Sequence, residues 1–382
     1  VARPGAITLG ELTATLDSWF DPSWAETWDA VGLVCGDPQT AVSRVLLAVD
    51  AVPGTVTEAI DGGAELLFTH HPLYLGGVHA VPSSDPKGAL THRLIRAGSA
   101  HFVAHTNADV AAPGVSDALA ERLGLRELRP LSPQDDPAFA KLVVFVPSDS
   151  AAALVDALAA AGAGRLGDYD RCAWMSEGVG TFRPLAGANP TIGTVGVPAE
   201  VPETRVEMIV RAADQRAVLS ALRGAHPYEE PAFDLLAQLP LPSGRGTGRV
   251  GELSEPTTVA GLAALVAARL PATTWGVRAA GDPDRPVRTV AVCGGSGGSL
   301  IDYARAAGAD VYVTADLKHH PALEATTERG PDAMALVDAA HWATEAPWLD
   351  ALATRLRAAF ELDVRVSRLC TDPWTRHEPS VH

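Results

Sequence analysis

The sequence predicts an α/β protein in which two α/β halves form one domain and an α+β domain of ferredoxin-like order is inserted between them. Three observations carry this prediction. Short β-branched runs alternate with helical stretches at both ends of the 382-residue chain, as in a mixed or mostly parallel sheet covered on both faces. About a hundred residues in the middle change to a βαβ–βαβ order. Two stretches rich in Pro, Ser, Asp or Gly, 130–137 and 240–251, bracket that middle and read as linkers. The expected domains are therefore 1–130, 138–240 and 250–382.

In the first part a helix is expected at 12–20 and a strand at 45–49, ending at Asp50. A helix at 55–61 closes on Gly62-Gly63, and a buried strand at 65–69 leads into His70-His71-Pro72. A helix at 91–97 and a strand at 101–104 precede Thr106-Asn107-Ala108-Asp109, and a further helix covers 115–123. In the middle part strands are expected at 141–146, 171–176, 207–210 and 232–239, with helices at 149–161 and 212–222. In the last part strands at 287–293, 311–314 and 333–337 alternate with helices at 300–307, 321–329 and 341–360. His70-His71-Pro72 and His319-His320-Pro321 each follow a strand, a faint echo of duplication.

Composition narrows the function. Hydrophobic residues make up 47% of the chain, enough for a sizeable core, and the formal net charge is −16. That balance disfavours nucleic acid as the main partner, because phosphate neutralisation needs clustered Lys and Arg. The four cysteines Cys35, Cys172, Cys293 and Cys370 are widely spaced and read as reduced, mostly buried thiols. No leader-like pattern opens the sequence, and no apolar run reaches the roughly 18–20 residues of a membrane span, so a cytoplasmic protein is expected.

The candidate chemistry lies at strand ends. Neighbouring side chains at the end of a strand diverge, so His70 and His71 can serve two separate ions, and Pro72 stiffens their exit. Asp109, with His105 four residues earlier, follows the next strand, where an α/β sheet gathers its ligands. Its competing role is capping the helix at 115–123. His341 and Glu345 stand four apart on one helical face, and a carboxylate there can bridge two metals. Asp338 is expected near the N-terminus of that helix. Mixed imidazole and carboxylate ligands suit Zn, Mn, Fe or Ni better than Ca or Mg. The glycine loop 294–299 can present backbone N–H groups to a phosphate or serve as a tight packed turn. Asp316, His319 and His320 are candidates for supporting the ligands or moving protons.

These residues together resemble the NIF-three-like dinuclear metal-centre family, whose members include the GTP cyclohydrolase 1 type 2 homologs. The matching stretches are Trp28-Asp29-Ala30-Val31-Gly32-Leu33, Phe68-Thr69-His70-His71-Pro72, His105-Thr106-Asn107-Ala108-Asp109, the loop 294–299, Thr314-Ala315-Asp316, and His341 with Glu345. In the middle, Gly180-Thr181-Phe182-Arg183-Pro184, Gly187-Ala188-Asn189-Pro190 and His226-Pro227-Tyr228-Glu229-Glu230-Pro231 resemble the PII/CutA-like insert of the longer bacterial members. The resemblance implies one ion on His70, Asp109 and Glu345 and another on His71, His341 and Glu345, with Glu345 bridging and His105 close by. It also implies a toroidal homohexamer. Ala30 and Ala315 depart from the family pattern, which has Asn and Gly at these places. His226 and Glu229 are read as part of the insert rather than as ligands.

The leading expectation is a metal-dependent hydrolase of a small phosphate-bearing or nucleotide-like substrate. Two ions would acidify a shared water toward a pKa of about 7, and His105 or His320 would carry protons. The competing expectation is a non-enzymatic metal-binding or regulatory assembly that senses a small molecule through the insert.

Overall fold

The helix Leu9–Trp19 starts at a reciprocal cap: Glu11 N–H donates to Thr8 Oγ1 at 3.2 Å, and Thr8 N–H donates to Glu11 Oε2 at 2.8 Å. Its spacing then buries Leu9, Leu12 and Leu16 on one face. The computed structural model describes residues 7–135, 139–240, 242–327 and 333–378. These fall into two compact units, Val1–Gln134 with Gly244–His382, and Asp135–Ser243.

The first unit holds two large sheets. One has the spatial order Asp363–Val366, Arg44–Ala48, Leu66–Thr69, Ala100–Val103, Gly32–Cys35, with only the last strand antiparallel to its neighbour. The other runs Val277–Ala280, Ala335–Ala339, Val311–Ala315, Pro286–Ser296, Pro242–Thr258, Leu125–Asp135. Its central three strands are parallel. Leu66–Thr69, Ala100–Val103, Val311–Ala315 and Ala335–Ala339 are buried at every position, which explains their unbroken apolar runs. One apolar core joins both sheets, with Leu66, Phe68 and Phe102 in the same cluster as Val292, Val313, Val337 and Trp348. Trp348, on the helix His341–Ala359, packs its ring on Phe20 and Phe68.

The two halves are more interleaved than the sequence indicated. The C-terminal strand Asp363–Val366 completes the sheet of N-terminal strands, and Leu125–Asp135 lies on the edge of the sheet of C-terminal strands. Both expected linkers are corrected by this. Residues 130–135 belong to Leu125–Asp135, and 242–251 belong to Pro242–Thr258. The remainder of the first linker at 136–137, residue 241 of the second, and the expected helix end at 328–329 lie outside the described residues. Pro130 and Pro133 read as breakers, yet an edge strand tolerates proline because one row of its N–H groups faces away from the ladder. Gly246 has φ +151°, and a Cβ there would sit 2.2 Å from the carbonyl oxygen of Ser132. Glycine thus lets two backbones approach, a role a linker reading overlooks.

The unit Asp135–Ser243 has the order β-α-β-β-α-β and one antiparallel sheet, Phe233–Ala237, Phe139–Pro147, Ala199–Arg211, Ala173–Phe182. This is the strand order of a ferredoxin-like unit. Leu142, Val144, Val206 and Met208 from the sheet share a core with Leu154, Leu158, Val218 and Leu222 from its two helices. All four cysteines are free. Cys293 is buried, Cys35 and Cys172 are half-buried, and Cys370 is exposed, which corrects the expectation for that last thiol.

Candidate metal centre

The strand Leu66–Thr69 delivers His70 and His71 with their backbones still in the ladder, His70 N–H to Ala48 O at 3.2 Å and His71 N–H to Val49 O at 2.8 Å. Thr69 Oγ1 donates to His71 O at 2.8 Å, which fixes the turn into Pro72. The two rings diverge to neighbouring positions, with centroids 5.0 Å apart. His70 is 1% exposed, packed on Trp348 and His105. The next strand, Ala100–Val103, delivers His105 as the residue preceding the short helix Thr106–Val110, which carries Asp109. Asp109 does not cap the helix Val115–Leu123; Asp117 does, accepting from Gly114 N–H at 2.7 Å.

From the other sheet, Val311–Ala315 ends at Asp316, and Ala335–Ala339 leads into the helix His341–Ala359, whose first turns carry His341 and Glu345. Glu345, 3% exposed, is the hub. Its Oε1 lies 3.0 Å from His341 Nε2 and 3.5 Å from His70 Nε2, and its Oε2 lies 3.1 Å from His71 Nε2. His341 Nε2 and His71 Nε2 are 3.3 Å apart, and His70 Nε2 is 3.7 Å from Asp109 Oδ1. Asp338 is corrected: it lies within the strand Ala335–Ala339, paired with Arg278, and Ala340 precedes the helix.

Each imidazole is held at Nδ1. His70 Nδ1 is 2.9 Å from Ala104 O, His71 Nδ1 2.7 Å from Asp50, His105 Nδ1 2.8 Å from Asp29, and His341 Nδ1 2.6 Å from Asp316. A carbonyl or carboxylate at Nδ1 fixes the tautomer that leaves the Nε2 lone pair for a metal. The Asp29 side chain is 0% exposed and accepts from Thr106 N–H at 3.0 Å and Thr106 Oγ1 at 2.5 Å. Burial alone would raise its pKa, but the hydrogen bonds from His105 and Thr106 hold it well below the usual carboxylate range.

Protonation reports the same crowding. Burial opposes charge on His71 and His341, yet the Glu345 carboxylate, assisted by Asp50 and Asp316, pushes their pKa values up to about 11 and about 10. Burial would raise Glu345, but the charges of His71, His341 and His70 hold it far down. Burial raises Asp109 despite the opposing charge of His70. Without cations, protons on imidazole must balance the central carboxylate.

The residues fit a pair of divalent cations. Two clusters are geometrically compatible with metal ions: His70, His71 and His105, and His71, His341 and Glu345, each with ligand atoms within 4.8 Å of one another. His70 Nε2 and Glu345 Oε2 are buried and make no hydrogen bond, a costly arrangement that ligation would relieve. Gly295, φ +64°, faces them: a Cβ there would lie 2.4 Å from Glu345 Oε1 and 3.0 Å from His341 Nε2. The glycine loop therefore makes room for the ligands. Its backbone instead serves the site internally, Gly295 N–H donating to Thr344 Oγ1 at 2.9 Å and Gly295 O accepting from Thr314 Oγ1 at 3.0 Å.

All five residues expected as ligands thus converge, with His105 among them. His320, on the exposed start of the helix His319–Thr327, belongs to neither cluster. His226 Nε2 donates to Phe145 O (2.9 Å) and its Nδ1 accepts from Tyr228 N–H (3.1 Å), and Glu229 accepts from Asn189 N–H, so both are engaged within the second unit. The partners Asp29 and Asp50 were not among the expected site residues; their signal was an acidic residue inside a matched stretch and another at a strand end.

The chain is similar to known proteins over nearly its whole length. The family model of Duf34/NIF3 (NGG1p interacting factor 3) matches residues 7–373. The "GTP cyclohydrolase 1 type 2 homolog" of Mycobacterium leprae is 49% identical over 369 residues, covering 96% of this chain and 94% of that protein. The protein of the same name from Bacillus subtilis is 36% identical, covering 96% and 98%. Among solved structures, a Bacillus cereus protein related to NIF3 aligns with a TM-score of 0.70 at 35% identity, covering 97% of this chain and 99% of its own. A Staphylococcus aureus protein aligns at 0.78 and 29% identity with the same coverage.

Proposed function

The chain belongs to the Duf34/NIF3 family and carries two metal-compatible clusters, and from that premise we propose that it is a metal-dependent hydrolase acting on a nucleotide-like or phosphate-bearing small molecule. One observation carries the reading: three imidazoles with Nδ1 tied outward, His70, His71 and His341, surround one buried carboxylate, Glu345, and a fourth, His105, packs on two of them. His70, Asp109 and Glu345 would hold one ion, and His71, His341 and Glu345 the other. Two ions so held supply Lewis acidity and bring a water toward a pKa of about 7. Asp50, Asp316 and Ala104 O keep the ligand rings in place. Asp29 holds His105 by Nδ1, leaving Nε2 to accept and return a proton; His320 is the second candidate for that transfer. The name shared by the relatives motivates GTP as the first substrate to try. Also part of this proposal are a PII/CutA-like inserted domain at 138–240 between halves at 1–130 and 250–382, a toroidal homohexamer, and a cytoplasmic location. Of the described residues, no helix is long and apolar enough to cross a membrane.

The test is purified protein loaded with Zn, Mn, Fe or Ni and assayed against GTP and a phosphoester panel. Turnover that requires metal and disappears in Glu345→Ala is the expected result. Metal-loaded protein inert toward the whole panel, or turnover unchanged by Glu345→Ala, overturns it.

A second reading, regulation without turnover, is favoured by one observation: the unit Asp135–Ser243 has its own cavity of about 620 Å³, lined in part by Phe182, Arg183, Glu203, Arg205 and Tyr228. That volume is in the range of small-molecule sites. Thermal-shift screening with nucleotides, followed by product analysis, separates ligand sensing from hydrolysis.

A further inference from the structure

The segment that follows the strand Asp363–Val366 passes over one side of the metal centre. It leaves the sheet at Ser367, whose N–H donates to Leu47 O at 2.8 Å and whose Oγ donates to Glu58 Oε2 at 2.5 Å. Leu369 then lies on Gly54, where an added Cβ would come within 2.5 Å of Leu369 Cδ2. Thr371 Oγ1 donates to Asp50 Oδ2, while Asp50 Oδ1 accepts from His71 Nδ1 at 2.7 Å. Asp372 accepts from the Trp374 N–H, which closes the turn at Pro373. Trp374 reaches Trp275, just before the strand Val277–Ala280, with ring centroids 5.7 Å apart and 34° between planes. The Arg278 guanidinium, 4.3 Å from the Trp275 ring centroid, steadies that ring. The segment therefore links the sheet of N-terminal strands to the sheet of C-terminal strands.

A cavity of about 250 Å³ separates this segment from the centre, lined by residues 371–374 together with His71, His341 and Asp316. His70, His105 and Asp109 do not line it. Its volume lies below the roughly 300–1,000 Å³ of small-molecule sites, so it suits water and a passing ion rather than a substrate. The attachment over it is light. Among the described residues, no backbone–backbone hydrogen bond beyond Ser367 joins the segment to either sheet. Trp374 is 58% exposed. A stretch held past Leu369 by one hydroxyl and one aromatic pair opens locally, far more readily than the buried strands beside it.

We infer that residues 367–374 form a strap that gates the ion proposed for His71 and His341, with Trp374 as its latch on Trp275 and Thr371 as a positioning residue that holds His71 through Asp50. The inference rests on the ligand assignment above and adds a device that controls one ion and not the other. With the strap docked, the cavity is closed and both oxygens of Asp50 are engaged, so the His71 ring stays aimed. With the strap undocked, the cavity opens to solvent and Asp50 is free to turn, so the second ion enters or leaves. The coupling is reciprocal: an ion that binds better under a docked strap also favours docking. The ion on His70 and Asp109 lies outside the cavity and exchanges independently.

The test is stopped-flow removal of zinc from the loaded full-length protein by a chromophoric chelator, with fluorine NMR of fluorotryptophan-labelled protein reporting how Trp374 is docked. Two release phases are expected. Trp374→Ala and Thr371→Val should each speed one phase by about twofold to tenfold, the range of one aromatic pair or one hydrogen bond, and leave the other phase unchanged, which shows that the variants are folded. Trp374→Phe, which keeps a ring, should restore most of the native rate and identifies the Trp374 resonance by its loss. Removing zinc from the native chain should move that resonance toward its position in Thr371→Val. Release indifferent to both variants, both phases accelerated alike, or a Trp374 signal that ignores zinc overturns the strap. If zinc is bound and a substrate of the panel is turned over while release ignores the strap, the strap fails and the hydrolase stands. If release depends on the strap but nothing in the panel is turned over, the hydrolase fails and the strap stands. Protein that takes up no second ion overturns the ligand assignment and the strap with it.

Discussion

The N-terminal and C-terminal contributions to the centre are built differently. His70 is 1% exposed, is held at Nδ1 by a backbone carbonyl, and is wedged between Trp348 and His105. His341 is one-third exposed and is held by the carboxylate of Asp316, itself half-exposed at φ 55°. Ala104 O sits at the end of a buried strand and cannot swing away. A half-exposed side chain such as that of Asp316 can. The difference teaches that one carboxylate, Glu345, can join a rigid ligand set to an adjustable one. Under the proposed ligand assignment, the ion on His70 and Asp109 should be retained and the ion on His71 and His341 should exchange.

The largest effect should come from removing what the two sets share. Glu345→Ala deletes the carboxylate that approaches three imidazoles, so metal analysis should fall from two ions per chain to none. If one ion remained at full occupancy, the shared-carboxylate picture would fail. The double change His71→Ala with His341→Ala removes both imidazoles proposed for the second ion, and one tightly held ion should survive dialysis. Unchanged stoichiometry in that double variant would remove the basis of the whole assignment.

A smaller effect should follow from loosening a support. Asp316→Ala leaves every proposed ligand in place but frees the His341 ring, and outer partners of this kind typically contribute 10–100-fold in metal affinity. Competition with a chelator should show that loss for the second ion alone. Acidity should act on the same side. His71 and His341 carry pKa values pushed up to about 11 and about 10 in the metal-free centre, so both hold protons at neutral pH that an ion must displace. Affinity for the second ion should therefore fall as pH falls, by roughly tenfold per unit for each displaced proton. Titrations in two buffers of different ionisation enthalpy would count those protons, and a count of zero would contradict the protonated, metal-free centre.

What the sequence reveals of this centre follows from how local each signal is. His70-His71-Pro72 and the His341, Glu345 pair are local patterns, so the ligand candidates could be read before any fold was known, and they do converge. The outward supports could not. Asp29 and His105 are 76 residues apart, and Asp50 reaches Thr371 across 321; no local pattern pairs them. Buried strands such as Leu66–Thr69 and Val311–Ala315 were legible because parallel strands read as apolar runs. Leu125–Asp135 and Pro242–Thr258 were not, because their Pro and Gly residues serve an edge position and a close backbone approach, and in sequence both look like loop chemistry. The cavity beside the centre was also hidden, since Trp275, Asp316 and Trp374 meet only in three dimensions.

A last effect concerns the rigid side directly. His101, at 0% exposed, lies beneath the ligand turn, its Nε2 2.8 Å from Thr69 Oγ1 and its Nδ1 without a partner. Burial depresses its pKa to about 4, whereas an unfolded histidine titrates near 6.5. Between those values the unfolded chain binds a proton that the folded chain refuses. Its contribution to stability is therefore complete above pH 6.5 and is lost as pH falls toward 4, amounting to about 3 kcal/mol over that window. Thermal melts of metal-free protein from pH 7 to 4.5 should show a steeper decline for the native chain than for His101→Gln. If the two declines were parallel, the rigidity assigned to the N-terminal side would have to come from Trp348 and Ala104 alone.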